Sequence, residues 1–361
     1  MRRTTISWTD LCWNVTDGCS REMAEGAETS GCGDPTGGGC YAERMAYRFS
    51  GPGKYYEGLV RMTPNGPRWT GKLRLNAHKL DAPLRWRTEV KAFVCSTSDP
   101  FHPKLANEEI AAIYGAIAAT GGRHTMQMLT KRARRRREWH AWIQHAAFVS
   151  NKTPAQVCFA YTLAASGSPL FRRPEVVSAA MSASWPLPNV WEGVSVEHQA
   201  AAYDRIDHLL MTPAAVRWIS LEPLIGPVDL LPWLDPTGAC DCGYENGYHC
   251  VPRCMKQAEW RYMGDPIGHV DPNIDWVVIG CESGPGARPC NPDWIRNLIE
   301  QCGDYGVARW FKQGRATPGE LAPDMVATWA IGADNGSTIK GIGGTLVERP
   351  YLDGKQYLEL P

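Results

Sequence analysis

The chain of 361 residues has no run of about 18 apolar residues, the length a helix needs to cross a bilayer. Its start, Met1-Arg-Arg-Thr-Thr-Ile-Ser-Trp8, lacks the apolar core of a secretion signal, so a cytoplasmic location is expected. Net charge is also missing: 38 Lys and Arg balance 38 Asp and Glu, so no overall field draws in nucleic acid and any such binding must use a local patch. There is no P-loop and no coiled coil. Cysteine, by contrast, is plentiful. Thirteen of them in a cytoplasmic chain point to metal or redox work rather than to disulfides. The fifteen tryptophans suit a core or a stacking platform.

Seven short runs rich in Val, Ile and aromatics read as strands: residues 6–10, 92–96, 124–129, 189–194, 216–219, 275–279 and 307–311. Helical patterns lie between several of them, at 107–120, 133–147, 199–210 and 292–305. Strands alternating with helices predict an α/β fold with parallel βαβ units, best read as a partial (β/α) TIM-like barrel of about six to seven strands; a doubly wound open sheet is the alternative. The expected organisation is a barrel over 1–315, a cysteine-rich insertion at 232–273 within it, and an extension over 316–361. In such a barrel chemistry sits where strands end. The predicted ends carry Ser98 and Asp99, Lys131, Ser195 and Glu197, Glu222, Glu282 and Lys312. Loop starts and helix caps also use such residues, but a loop has no need of Glu or Lys in particular.

Cys19, Cys32 and Cys40 follow the first predicted strand in a glycine-rich loop. Three thiolates can hold three irons of a [4Fe–4S] cluster and leave the fourth open; a zinc site completed by Cys12 or a histidine is the other reading. Cys240, Cys242, Cys250 and Cys254 form C-x-C-x7-C-x3-C inside the insertion, a pattern for structural zinc or for a second cluster. The remaining Cys12, Cys95, Cys158, Cys281, Cys290 and Cys302 are scattered and expected to be buried as small apolar residues. The run Lys131, Arg132, Arg134, Arg135, Arg136 and Arg137, with Trp139, His140 and Trp142 after it, is either a grip for DNA or RNA beside the pocket or a solvated helix face.

Several stretches together resemble a phage and bacterial family of unknown function with a three-cysteine motif, related to the radical S-adenosylmethionine enzymes. They include Gly18-Cys19, Cys40-Tyr-Ala-Glu43, Ser98-Asp-Pro-Phe-His102, Asn189-Val-Trp-Glu-Gly-Val-Ser-Val-Glu197, Ile219-Ser-Leu-Glu-Pro223, Gly280-Cys-Glu-Ser-Gly284 and Trp310-Phe-Lys-Gln313, and they span about residues 5–315. The resemblance implies a cluster on Cys19, Cys32 and Cys40 with S-adenosylmethionine on its open iron. An external donor would supply the electron whose transfer yields methionine and a 5′-deoxyadenosyl radical that abstracts a substrate hydrogen. It places Ser98 and Asp99 near the methionine amino group. Ser195, Glu197, Glu222 and Glu282 are then candidates for the rest of the cofactor, and Lys131 or Lys312 for its carboxylate. Both cysteine spacings are longer than the family's usual ones, and Gly39 stands before the last cysteine where radical enzymes often carry an aromatic. A nucleic acid or nucleotide is the expected substrate. A zinc-dependent barrel hydrolase, resting on His102, and a non-catalytic zinc-held nucleic-acid-binding protein are the alternatives.

Overall fold

The computed structural model describes residues 4–22, 32, 40–234, 273–283, 287–288, 290–316, 339–341, 344–348, 352 and 355–361. They fall into two compact units, Met1–Ser195 with Thr212–Val216, and Val196–Met211 with Arg217–Pro361.

The first unit runs through β1 (Leu11–Trp13), β2 (Thr16–Asp17), α1 (Tyr41–Arg48), β3 (Val60–Thr63), β4 (Gly66–Trp69), β5 (Arg74–Leu75), β6 (Lys91–Val94), α2 (Asn107–Ala118), β7 (Thr125–Thr130), α3 (Ala133–Ser150), α4 (Pro154–Ala165), α5 (Pro174–Ser182) and β8 (Val190–Ser195). Its sheet has the order β1-β6-β7-β8. All pairings are parallel, with Leu11 opposite Ala92, Lys91 opposite Thr125 and Met126 opposite Val190. These strands are apolar on both faces because a parallel sheet is covered on both. Ala92, Val94, Met126 and Met128 pack with Ile110, Ile113 and Ile117 of α2 in one core. Helix α2 lies so close to α4 that a Cβ on Gly115 would overlap the carbonyl of Cys158 and the Thr162 hydroxyl. Helix α4 starts at a reciprocal cap: Gln156 N donates to Thr153 Oγ1 and Thr153 N donates to Gln156 Oε1, both at 3.2 Å. The small excursion between β2 and β5 is built from α1 and the hairpin β3–β4, and it closes over its own cluster of Ala42, Ala46, Tyr56, Leu59, Val60 and Trp69.

The second unit holds α6 (Gln199–Leu210), β9 (Val216–Leu221), α7 (Leu231–Leu234), β10 (Trp276–Gly280), α8 (Pro292–Asp304), β11 (Ala308–Ala316), β12 (Ile339–Gly341) and β13 (Gly344–Glu348). Strands β9, β10 and β11 are parallel neighbours, with Trp276 opposite both Trp218 and Ala308. Their core is marked by the Trp218 and Trp276 rings, 5.3 Å apart. β13 then pairs antiparallel with β11, and β12 with β13.

Seven parallel strands, four in one unit and three in the other, thus alternate with helices in a mixed α/β fold of the partial (β/α) barrel kind. In each unit the strand order advances in one direction, whereas a doubly wound sheet reverses at a switch point. Six of the seven strands begin within one residue of where the sequence places them, or at it. The first does not. Residues 6–10 include a turn, and β1 begins at Leu11; before it Thr9 Oγ1 donates to Lys91 O (3.0 Å) and Lys91 N donates to Asp10 Oδ2 (2.8 Å). Most of the insertion at 232–273 and of the extension at 316–361 lies outside the described residues. Among the described residues no helix is long and apolar enough to cross a membrane.

Candidate active site

The loop that carries the first cysteines is fastened at both ends. Gly18 has φ +85°, and a Cβ there would overlap the Lys72 carbonyl oxygen, so only glycine fits directly before Cys19. Cys40 stands at the N-terminal cap of α1. Cys19 and Cys40 are half-buried and pack against the same small apolar cluster. Between the two ends, Arg21 grips Glu43 of α1 at 2.9 Å, and the buried Glu43 carboxylate also accepts from Trp69 N (3.1 Å). The cysteine loop is further held from the sheet side. Arg132 donates to Ser20 O and Ser20 Oγ, both at 3.1 Å, and pairs with Glu22 at 3.1 Å and Asp99 at 2.9 Å.

Cys19, Cys32 and Cys40 act on one another electrostatically. Burial pushes the Cys19 thiol far above its ordinary range; Arg132 opposes this, while Asp99 and the other two thiols add to it. Burial, then Cys32, push Cys40 up to about 12, against the amides at the start of α1. Cys32 and Cys40 thus disfavour the thiolate of Cys19, and Cys32 that of Cys40, a cost that a bound cation would relieve, since metal-bound thiols are deprotonated. Among the described residues no group of three or more His, Cys, Asp and Glu is arranged to hold a metal ion.

His102 has a definite tautomer. Lys104 N donates to its Nδ1 (3.1 Å), so the proton lies on Nε2 and is donated to Ser20 Oγ (2.8 Å). Burial, reinforced by Arg132, pushes its pKa down to about 4, and the ring is neutral. Both ring nitrogens are therefore engaged, Nε2 with the cysteine loop and Nδ1 with the backbone after His102 itself. In this arrangement neither is left for the zinc that a barrel hydrolase would need.

Asp99 ends β6 in a ring of donors. Phe101 N (2.9 Å), Thr130 Oγ1 (2.8 Å), Lys131 N (3.3 Å) and Arg132 (2.9 Å) all reach it. Burial alone would raise its carboxyl, but Arg132 and these hydrogen bonds outweigh burial and hold it below the usual carboxylate range. Ser98 Oγ bonds to Thr16 Oγ1 (2.7 Å) and donates to Thr16 O (2.9 Å). Both residues thus tie strand ends together beside Cys19. Asp17, which the sequence reading missed, is fully buried and accepts from Arg74 (3.1 Å), Asn76 (2.8 Å) and Tyr55 (2.9 Å). The signal available was its place two residues before Cys19, where a lone carboxylate needs partners to be buried.

The basic run does not form one face. Arg136 is fully buried against Glu192 (3.3 Å) and donates to Gly193 O (2.9 Å). Arg132 is buried at the cysteine loop, Arg135 donates to Asn107 Oδ1 (2.6 Å), and exposed Arg134 pairs with Glu138 (3.0 Å). Trp139 and His140 are buried with Tyr114 and Trp185, so they are core and not a platform for bases. Of the residues expected to grip phosphate, Arg132 and Arg136 are thus buried in ion pairs, Lys131, Arg135 and Arg137 are half-buried, and Arg134 is exposed but paired. The physical reason is helical spacing: positions 132, 136 and 140 share the side of α3 that faces buried carboxylates.

In the second unit the ends of β9, β10 and β11 meet. Lys312 Nζ lies 2.6 Å from Glu222 Oε1, and Ser220 Oγ donates to Glu222 Oε2 (3.3 Å). Gly280 makes room for them, since a Cβ there would come 2.9 Å from the Glu222 carboxylate. Gln313 Nε2 donates to Cys281 O (2.6 Å). Glu282 turns instead to Arg288, which donates to it three times at 2.8 Å, and Glu197 is buried against Arg205 at 2.7 Å. Ser195 is buried at the end of β8 in the first unit. Cys95, Cys158, Cys281, Cys290 and Cys302 are buried, as small apolar residues are; Cys12 is half-buried. Cys240, Cys242, Cys250 and Cys254 lie outside the described residues.

No curated protein and no solved structure matches the chain. The model of the family described as "Protein of unknown function (DUF5131)" matches residues 3–361, nearly the whole length, and the chain belongs to that family.

Proposed function

We propose that the chain is an iron–sulfur enzyme of the radical S-adenosylmethionine type that acts on a nucleic acid or nucleotide, with Cys19, Cys32 and Cys40 as the cluster ligands. The observation that carries this reading is that Cys32 and Cys40 act electrostatically on Cys19, and Cys32 on Cys40, at a loop whose described ends are held by Arg21–Glu43 and by Arg132 and His102 on Ser20. When bound, the cluster supplies the electron for reductive cleavage of S-adenosylmethionine, passed on from an external donor. The chain's own part is to hold the ends of this loop: the buried carboxylates of Glu43 and Asp99 are each bound by several donors beside Cys40 and Cys19.

Among the cofactor candidates the pair Glu222–Lys312 is the best placed to change partners, because its side chains keep 11% and 20% exposure. Opening it would offer a carboxylate to an ammonium group and an ammonium to a carboxylate, the two charges of an amino-acid moiety. Glu197, buried wholly against Arg205, is a scaffold for the same strand ends. A reducing cytoplasm suits both this site and the Cys240, Cys242, Cys250 and Cys254 group, for which zinc is the proposed metal.

The test is anaerobic purification and reconstitution with counts of iron, sulfide and zinc. The expected result is about four irons per chain and a spectrum of the reduced protein that changes on adding S-adenosylmethionine. Both features should be lost in Cys19→Ala and in Cys40→Ala. Zinc alone at this site after reconstitution would replace the reading with that of a zinc-held binding protein.

A further inference from the structure

We propose that the excursion over residues 41–74 is the surface on which a single-stranded nucleic acid docks. This takes from the preceding reading only that the partner is a nucleic acid; the docking itself needs no cluster. The segment carries seven Lys and Arg against two acids, in a chain whose total charge is zero. Glu43 is buried and held by Arg21, so the exposed Glu57, which also accepts from Gly53 N (2.8 Å), is the one acid that offsets the excess at the surface. Arg74 is turned to Asp17 and Arg68 toward Glu43. Arg44 is half-buried and engaged as well, which leaves Arg48, Lys54, Arg61 and Lys72, all exposed and without an ion pair among the described residues.

Aromatic rings stand among these cations. Phe49 is 52% exposed and Tyr47 38%, in the last turn of α1 and just past it, on either side of Arg48. Large exposed rings are informative where buried ones are not, and here the fold has a local core that could have taken them. Cations that neutralise phosphates, interleaved with rings that stack on bases, make the surface of a single-strand binder. A duplex would satisfy the cations but leave the rings idle, because its base faces are already stacked. The run at 131–137 offers neither, since its arginines are engaged and Trp139 after it is core. Position matters too. Helix α1 begins at Cys40, so the patch at its far end lies about 12 Å along the helix from the last cysteine. A strand held there would have a base within reach of the cysteine site.

The test measures fluorescence anisotropy of labelled single-stranded DNA and RNA of about 15 nucleotides with the full chain over a salt series. It uses the wild type, the cysteine variant Cys19→Ala/Cys40→Ala, the triple variant Arg48→Glu/Lys54→Glu/Arg61→Glu, and the single variants Phe49→Ala and Arg134→Ala. The expected result is salt-dependent binding by the wild type and by the cysteine variant alike. Binding should weaken at least about tenfold in the triple variant and about fivefold in Phe49→Ala. Arg134→Ala should stay within about twofold. Binding by an iron-free cysteine variant separates this proposal from the fate of the cluster. Absence of strand binding by the wild type, or equal binding by the triple variant, would overturn the proposal. So would a patch that binds phosphatidylserine vesicles and no strand, which would make it a membrane contact.

Discussion

His102 and Ser20 join the cysteine loop to the sheet through one hydrogen bond of 2.8 Å, and the direction of that bond is set by a single backbone amide, Lys104 N. Because the ring must stay neutral for this geometry, stability should depend on pH in a defined window. In the folded chain His102 takes up a proton only near pH 4; in the unfolded chain it does so near its ordinary 6.5. Between those values the unfolded chain binds more protons, so stability falls as pH drops from 6.5 to about 4 and this contribution levels off below. Gln at this position can still donate to Ser20 and accept from Lys104, but it does not titrate. Urea melts of wild type and His102→Gln across that window should diverge, the variant being the flatter of the two. Parallel curves would remove His102 as the source. At this scale the sequence was partly legible. Gly18-Cys19 and Ser98-Asp99 could be picked out, whereas the Ser20 partner of His102 and the Arg74 and Asn76 donors to Asp17 come from segments more than 50 residues apart in the chain.

Helix α3 shows why elements are easier to predict than their faces. Its span was readable from the pattern at 133–147, and its charges were in plain sight. What they do is set by the helical period, which brings Arg132, Arg136 and His140 to one side, and by Glu192 of β8, which waits there fully buried. Tyr114 also donates to that carboxylate. Burial opposes the charge on Glu192, yet His140, Arg136 and Tyr114 overcome it and hold its pKa down. Removing the acid strands a buried guanidinium; replacing the arginine with an apolar side chain of similar length leaves the acid with two partners. Glu192→Ala should therefore cost about 3–5 kcal/mol, and Arg136→Met markedly less, in chemical denaturation. Arg136→Met should also leave nucleic-acid binding as it is, which no surface phosphate contact would allow. Helix α4 was missed for a related reason: it is apolar around most of its circumference, so its periodicity is weak.

For the molecule as a whole, the strand order was legible because alternation of strand and helix leaves few topologies open. The metal content was not, because spacing alone does not separate an iron–sulfur loop from a zinc site. The two cysteine groups differ in what surrounds them in sequence. Cys19, Cys32 and Cys40 are three, in a glycine-rich loop beside strand ends; Cys240, Cys242, Cys250 and Cys254 are four, within fifteen residues and far along the chain. Three ligands leave a coordination position for a small molecule, while four close a tetrahedral ion that serves folding. The two metals should then be lost independently. Cys240→Ser/Cys254→Ser should lower zinc by about one per chain and leave the iron count and its response to S-adenosylmethionine as in the wild type. Cys19→Ala should do the reverse. Loss of iron in the Cys240→Ser/Cys254→Ser variant would instead make the second group a cluster site, and the molecule would carry two centres able to pass electrons.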